Sequence, residues 1–258
     1  MEELKLLTGT LGADHIWMTD DIFGLKPGWV GEFADLVVAE KLKFRFKIQS
    51  RVDLLLQENS VSALAQAGCE TAWVGAESGS QKILDAMEKG TKVEQIYEAT
   101  RQLKRHGIRP AFFLQFGYPG ETREDIDATL DMVTELMPDD IGVSVSYPLP
   151  GTRFHEMVEL DLDTQANWQS SGDLAMMFHG TYPTEIYREL HLSLHDDLDL
   201  RRREAGLSRA RHAQIDDVPL DAHRARVEAR WATLRAREVE QRNPNPTRLR
   251  IPLAVATD

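Results

Sequence analysis

Leu103-Lys104-Arg105-His106-Gly107-Ile108-Arg109-Pro110-Ala111-Phe112-Phe113-Leu114 joins a helix end to a strand within a single short stretch. The cations and the histidine complement the negative end of a helix dipole, and a glycine just past the last turn takes the left-handed conformation without a Cβ clash. The apolar run that follows is too short for a helix and reads as a buried strand. The same order recurs upstream. Leu6-Leu7 and Gly12 lead into His15–Met18, and Leu54-Leu55, Ala67 and Gly68 lead into Thr71–Val74. Two more strands are expected over Phe44–Gln49 and Ile141–Val145. Thr91-x-x-Glu94 and Thr122-x-x-Asp125 have the form of capping boxes, the second with Asp in place of Glu. Near-continuous apolar strands that alternate with helices indicate a parallel sheet covered by helices. With no visible switch in strand order, the expected fold class is α/β, a partial parallel, TIM-barrel-like β/α barrel.

From Gly151 onward the pattern changes. Thr184–Arg203 reads as one long helix with Ile186, Leu190, Leu194 and Leu198 along one face. Asp221–Arg242 reads as another, with Val227, Trp231 and Leu234 on its face, stopped by Asn243-Pro244-Asn245-Pro246. The expected organisation is a barrel over residues 1–160 and an α-helical C-terminal extension with a basic tail over residues 161–258.

Composition narrows the function. Apolar residues make up 42% and charged residues 28% of the 258, which excludes disordered and collagen-like classes. No apolar run approaches the length that crosses a bilayer, and Met1–Thr10 lacks the build of a secretion signal. A cytoplasmic protein is expected. The net charge of −12 argues against a nucleic-acid partner. From Arg201 onward, however, 13 Arg face 8 Asp or Glu, so that tail is basic on an acidic body. The single cysteine, Cys69, excludes an internal disulfide and any multi-thiolate metal site built from these residues. At the start of a strand, just after a helix-ending glycine, it reads as a small buried hydrophobe.

In a parallel β/α barrel, function collects where the strands end. Those ends read Thr19-Asp20-Asp21, Gln49-Ser50-Arg51, Gly75 to Ser80, Gly117 to Thr122 and Ser146 to Thr152. Acids, hydroxyls, an arginine and glycine-rich backbone suit a ligand with an amino group, a carboxylate and ribose hydroxyls. Four pieces stand in order: Thr19-Asp20-Asp21-Ile22-Phe23; Gly75-x-Glu77-Ser78-Gly79-Ser80 with Ile83-Leu84-Asp85-x-Met87-x-Lys89-Gly90; Gly117-Tyr118-Pro119-Gly120-Glu121-Thr122; and Tyr147-Pro148-Leu149-Pro150-Gly151-Thr152. Together they resemble the radical S-adenosylmethionine superfamily, in the branch that usually carries an N-terminal cobalamin-binding domain, such as the anaerobic magnesium-protoporphyrin ester cyclase and several radical methylases.

That resemblance implies a partial barrel of six β/α units, of which five are expected here. It also implies S-adenosylmethionine and a four-iron four-sulfur cluster held by a C-x-x-x-C-x-x-C loop after the first strand, with cobalamin on a separate domain. The reaction implied is radical modification or methylation of a small-molecule substrate, with a reductant such as flavodoxin or ferredoxin. Met1–Lys5 is expected to fall in the first helix, which would place that strand and loop before it and leave this chain inactive alone.

The resemblance also implies roles. Asp20 and Asp21 would face the ammonium of the methionine moiety. Ser78, with Gly79, would bind its carboxylate or the ribose, and Arg51 would pair with that carboxylate or stand in a surface ion pair. Glu77 would bind ribose hydroxyls or orient Arg51. Phe116, Gly117, Tyr118 and Pro148 would lie against adenine. Glu121 reads as a helix-dipole partner, and His106 likewise. His191-x-x-x-His195, with Asp196 nearby, reads as a solvated helix face. No residue is assigned a catalytic or metal-ligating role. Two other readings stand beside this one: a non-catalytic barrel that binds a nucleotide-like ligand or a partner protein, and an unrelated barrel enzyme with Asp20, Asp21 and Glu77 around a divalent metal.

Overall fold

The computed structural model describes residues 1–162, 174–207 and 218–247. Five strands, β1 (His15–Trp17), β2 (Arg45–Ser50), β3 (Cys69–Glu77), β4 (Arg109–Phe116) and β5 (Asp140–Val145), form one sheet in the order β1-β2-β3-β4-β5. The first three pairings are parallel, with Ile16 opposite Phe46, Ile48 opposite Ala72 and Val74 opposite Phe112. The last is tied by Asp139 N–H to Pro110 O and Ser146 N–H to Phe116 O. Every strand lies beside its sequence neighbours, so each βαβ step moves the same way across the sheet. That is the order of a β/α barrel, with five of its units, as the strand pattern implies.

The helices are α1 (Glu2–Lys5), α2 (Trp29–Ala39), α3 (Val52–Leu55), α4 (Ser60–Gln66), α5 (Gln81–Ala86), α6 (Val93–Arg105), α7 (Arg123–Leu136), α8 (Arg153–Val158), α9 (Thr184–Glu204) and α10 (Leu220–Gln241). The chain forms two compact units, Met1–Leu114 with Glu135–Gly142 and Gln115–Thr134 with Val143–Asp258.

In the first unit, alternate residues of β2 and β3 turn toward the helices. Phe46, Ile48, Ala72, Val74 and Ala76 are buried there. Phe46 meets Phe33 of α2 edge-on at 5.7 Å, and Phe23 meets Phe33 at 5.6 Å. Each such ring contributes roughly 1.5–3 kcal/mol on burial. Ile96, Ala99 and Leu103 form the buried stripe of α6. The helix-ending glycines behave as expected, and Gly68 is the most constrained: its φ is +93°, and a Cβ there would lie 2.5 Å from Phe44 O.

One expected cap moves. Lys92 N–H donates to Gln95 Oε1 at 2.8 Å, so the capping box of α6 sits one residue past Thr91 and Glu94. The cause is Gln81, whose amide already binds Thr91 O and Val93 N–H, leaving Lys92 N–H for the helix's own side chain. The second box stands where expected, with Asp125 Oδ2 accepting from Thr122 N–H at 2.8 Å.

In the second unit, Ile186, Leu190, Leu194 and Leu198 of α9 are buried, as are Val227 and Leu234 of α10, while Trp231 stays partly exposed. The reading of His191 and His195 as a solvated face is corrected: both are half-buried, with rings edge to face at 4.5 Å. Asp196 turns away from them. It accepts from His223 Nε2 at 3.0 Å and from Arg226 at 2.6 Å. His106 stands as read, its Nδ1 2.9 Å from Gln102 O in the last turn of α6. Among the described residues no helix is long and apolar enough to cross a membrane.

Candidate functional site

A cavity of about 300 Å³ opens in the first unit at the C-terminal ends of β2 and β3. Its wall includes Asp21, Ser50, Arg51, Gly75, Glu77 and Lys89. A bulge builds it. The register of β3 against β4 slips between Gly75 and Glu77, and Glu77 has a left-handed φ of +57°. A bulge at a strand end re-aims the side chain that follows it, and a non-glycine residue in this conformation is uncommon and costs about 1–3 kcal/mol, although Lys41, Asn59, Glu88, Met137 and Leu174 also adopt positive φ. Here it brings the Glu77 carboxylate onto the cavity wall, where Oε1 meets Lys89 Nζ at 2.8 Å. A Cβ at Gly75 would sit 3.1 Å from that oxygen, so glycine leaves room for it.

The other expected residues of this unit divide. Asp21 is exposed and lines the cavity; Asp20 is exposed and outside its lining. Arg51 forms a two-pronged pair with Asp53 at 2.9 and 3.0 Å, so Asp53, not Glu77, orients it. Ser78 is fully buried, its Oγ accepting Ser80 N–H at 3.1 Å across Gly79, which shapes the turn into α5. Ser50 Oγ donates to Phe23 O at 3.0 Å, and Phe23 N–H donates to Gln49 O, tying the loop after β1 to β2. Lys89 carried no assigned role, although it stands inside the Ile83–Gly90 motif. What brings it to the wall is the return of the chain after α5, which no local pattern announces. Among the described residues no three His, Cys, Asp or Glu side chains come together as a metal-holding group. Asp20, Asp21 and Glu77 therefore do not converge on a divalent ion.

In the second unit, Phe116, Gly117, Tyr118 and Pro148 are all buried. Gly117 has φ +76°, and a Cβ there would lie 2.9 Å from Met176 Sδ and 3.3 Å from Tyr187 Cζ. Glu121, read as a helix-dipole partner, is buried and also binds the turn before it. At 1% exposure it accepts Gly117 N–H at 2.7 Å, while its carbonyl takes Thr181 Oγ1–H at 2.6 Å. It holds the Gly117–Gly120 turn from inside. Tyr118 stacks on Phe154 at 5.0 Å.

Cys69 is buried at the start of β3, as read, with Sγ 3.7 Å from Thr71 O. Burial away from water is the largest cause that pushes its thiol up to about 12. A cluster ligand must be a thiolate, and a four-iron cluster takes several. Cys69 does not fit that role. Iodoacetamide at pH 8 is expected to leave Cys69 unmodified in the folded chain and to label it in urea, as read by mass spectrometry. Native labelling within minutes would contradict the buried environment.

Comparison with known proteins bears on these elements. The radical SAM superfamily model matches residues 1–133. An uncharacterized methyltransferase of Pyrococcus horikoshii is 30% identical over 170 residues, which are 66% of this chain and 37% of the relative. The bacteriochlorophyllide d C-12(1)-methyltransferase of Chlorobaculum tepidum is 26% identical over 181 residues, 69% of this chain and 39% of that one. The chain thus spans under half the length of these relatives. The cobalamin-dependent S-adenosylmethionine radical enzyme OxsB shares the fold, with a TM-score of 0.60 at 17% identity over 90% of this chain and 41% of that one. With the family model covering half of its residues and the strand order of the family's barrel, the chain belongs to the radical S-adenosylmethionine superfamily.

Proposed function

We propose that this chain supplies the S-adenosylmethionine-binding strand ends of a radical methyltransferase or methylthiotransferase. The observation that carries the reading is the Glu77–Lys89 pair set on a strand-end bulge, beside Asp21 and Arg51, around one cavity. The donor set fits the ligand. Asp21 and Glu77 suit the ammonium and the ribose hydroxyls, Lys89 and Arg51 suit the carboxylate, and both signs lie within a cavity of amino-acid size. When bound, S-adenosylmethionine supplies a sulfonium from which a carbon fragment can be released. Ile22 and Val52, which also line the cavity, limit water at the methionine end. Lys89 holds the Glu77 carboxylate until a ligand's ammonium replaces it. For Ser78 and Gly79 the role becomes shaping the loop that meets the ligand, in place of binding its carboxylate or ribose directly. The relatives' names support methyl transfer, in one of them to bacteriochlorophyllide d, and methylthio transfer is named for a further relative, a tRNA-2-methylthio-N(6)-dimethylallyladenosine synthase. A cluster and cobalamin belong to the same reading of the whole enzyme. The cluster requires thiolates beyond the single cysteine of these 258 residues.

Titration with S-adenosylhomocysteine, followed by amide NMR, tests this. The expected result is weak binding, with Kd on the order of 1 mM (about −4 kcal/mol). Shifts should concentrate at Asp21, Arg51 and Gly75–Glu77, and Glu77→Ala should remove them. Shifts confined to the Arg-rich end of the chain would sink the reading.

A further inference from the structure

The face of the sheet turned away from α2 and α4 keeps exposed and half-buried side chains among the described residues. Its outward residues alternate with the buried ones: His15 and Trp17 on β1, Arg45, Lys47 and Gln49 on β2, Trp73 and Gly75 on β3, and Phe113 on β4. Trp73 and Phe113 stack at 4.7 Å with their planes 26° apart. Phe113 is 36% exposed and also lines the strand-end cavity, so the pair continues the cavity wall down the sheet. Glycines bracket it. Gly75 lies opposite Phe113 in the register, and a Cβ at Gly142 would lie 3.2 Å from the Phe113 ring. Small residues on both sides leave Phe113 exposed at its edge of the pair, while Trp73 is half-buried.

The same face carries an ammonium over an aromatic ring, in a protein of net charge −12. Lys47 Nζ lies 3.9 Å over the ring of Trp17, itself 53% exposed. At the strand starts Arg45, Arg109 and His15 gather round Glu70 at 3.2, 2.7 and 3.2 Å, with Asp14 3.6 Å from Arg45. Exposed aromatic faces beside an ammonium bind flat conjugated rings by stacking, and the cation selects a negative substituent.

We infer that this face binds the substrate, and that the substrate is a flat, conjugated small molecule bearing a carboxylate. Its ring lies on Trp73 and Phe113, its carboxylate points to Lys47, and one edge reaches the strand-end cavity. The inference rests on the cofactor site proposed above, which it supplies with a substrate class.

The test uses 1-pyrenecarboxylate on the full chain, read by tryptophan quenching and pyrene anisotropy. Saturable binding is expected. Trp73→Leu and Phe113→Ala should each weaken it at least about fivefold, and Phe113→Tyr should restore it. Lys47→Met should weaken 1-pyrenecarboxylate while leaving neutral 1-pyrenemethanol unchanged. Cyclohexanecarboxylate, which is not flat, should not compete. Unsaturable binding, binding indifferent to Phe113→Ala, or equal effects of Lys47→Met on the charged and neutral probes would overturn the inference. Such binding that follows the variants while S-adenosylhomocysteine leaves Gly75 and Glu77 unshifted would discard the cofactor site and keep the aromatic one. The reverse pattern would discard the aromatic site alone.

Discussion

Gly68→Ala is expected to destabilise the first unit by roughly 3–4 kcal/mol, combining left-handed strain with a steric overlap. The backbone at this position has φ +93°, where an L side chain is strained, and its Cβ would lie 2.5 Å from Phe44 O. The clash is with backbone, so no rotamer change relieves it. Phe46 N–H also donates to Gly68 O at 3.2 Å, which links the same peptide to β2. Relief would therefore have to move the start of β2 or β3, where Phe46 is fully buried and Cys69 nearly so. Urea unfolding followed by far-UV circular dichroism measures the loss. As a control, Gly107→Ala is also at positive φ but meets nothing within 4 Å, and should cost only about 1 kcal/mol. Equal losses at the two positions would show that the close approach to Phe44 does not matter.

Asp196→Ala is expected to cost about 2–4 kcal/mol in the second unit, because it leaves a fully buried imidazole without its acceptor. His223 bridges α9 and α10. Arg203 donates to its Nδ1 at 3.0 Å, so the ring is held with its proton on Nε2, facing Asp196 Oδ1 at 3.0 Å. Arg226 takes the rest of the carboxylate at 2.6 and 3.0 Å. Asp196→Asn keeps an acceptor for His223 and should cost about half as much. The pH dependence has a definite sign. Burial alone would raise the Asp196 carboxyl, but the hydrogen bonds from Arg226 and His223 outweigh it and leave the group below its ordinary value. A depressed folded value means that this stability is fully present above the unfolded carboxyl's pKa, near 4, and is lost as pH falls through the folded one. The difference in stability between the native protein and Asp196→Ala, measured by urea unfolding from pH 7 to pH 3, should therefore hold steady and then shrink below about pH 4. A difference that stays constant down to pH 3 would show that the carboxylate's charge is not what the site uses.

The candidate site was legible in outline. Strand ends at Asp21, Arg51, Gly75 and Glu77 could be located because a parallel β/α chain puts its loops on one side, and that rule needs only the strand positions. Partners were not legible. Arg51 pairs two residues away with Asp53, and Lys89 reaches Glu77 from beyond α5; both depend on where the chain returns after a helix. The depth of Glu121 was hidden for a similar reason. A Glu ahead of a capping Thr looks like surface charge, and only Thr181, sixty residues on, shows it buried.

By itself, the sequence determined the class of the fold. Apolar strands set behind glycine-ended helices have few other ways to satisfy their backbone groups and bury both kinds of surface. It also determined the single thiol and the acidic body with its basic tail. The tertiary structure alone decided which polar side chains meet. Solvated acids and bases look the same in a sequence whether they end beside Lys89, beneath Thr181 or against His223. The free energy that selects one partner over another comes from burial and distance, which exist only once the elements have packed. The aromatic face belongs to the same category: Trp17, Trp73 and Phe113 read as core residues until the parity of each strand turns them away from the helices.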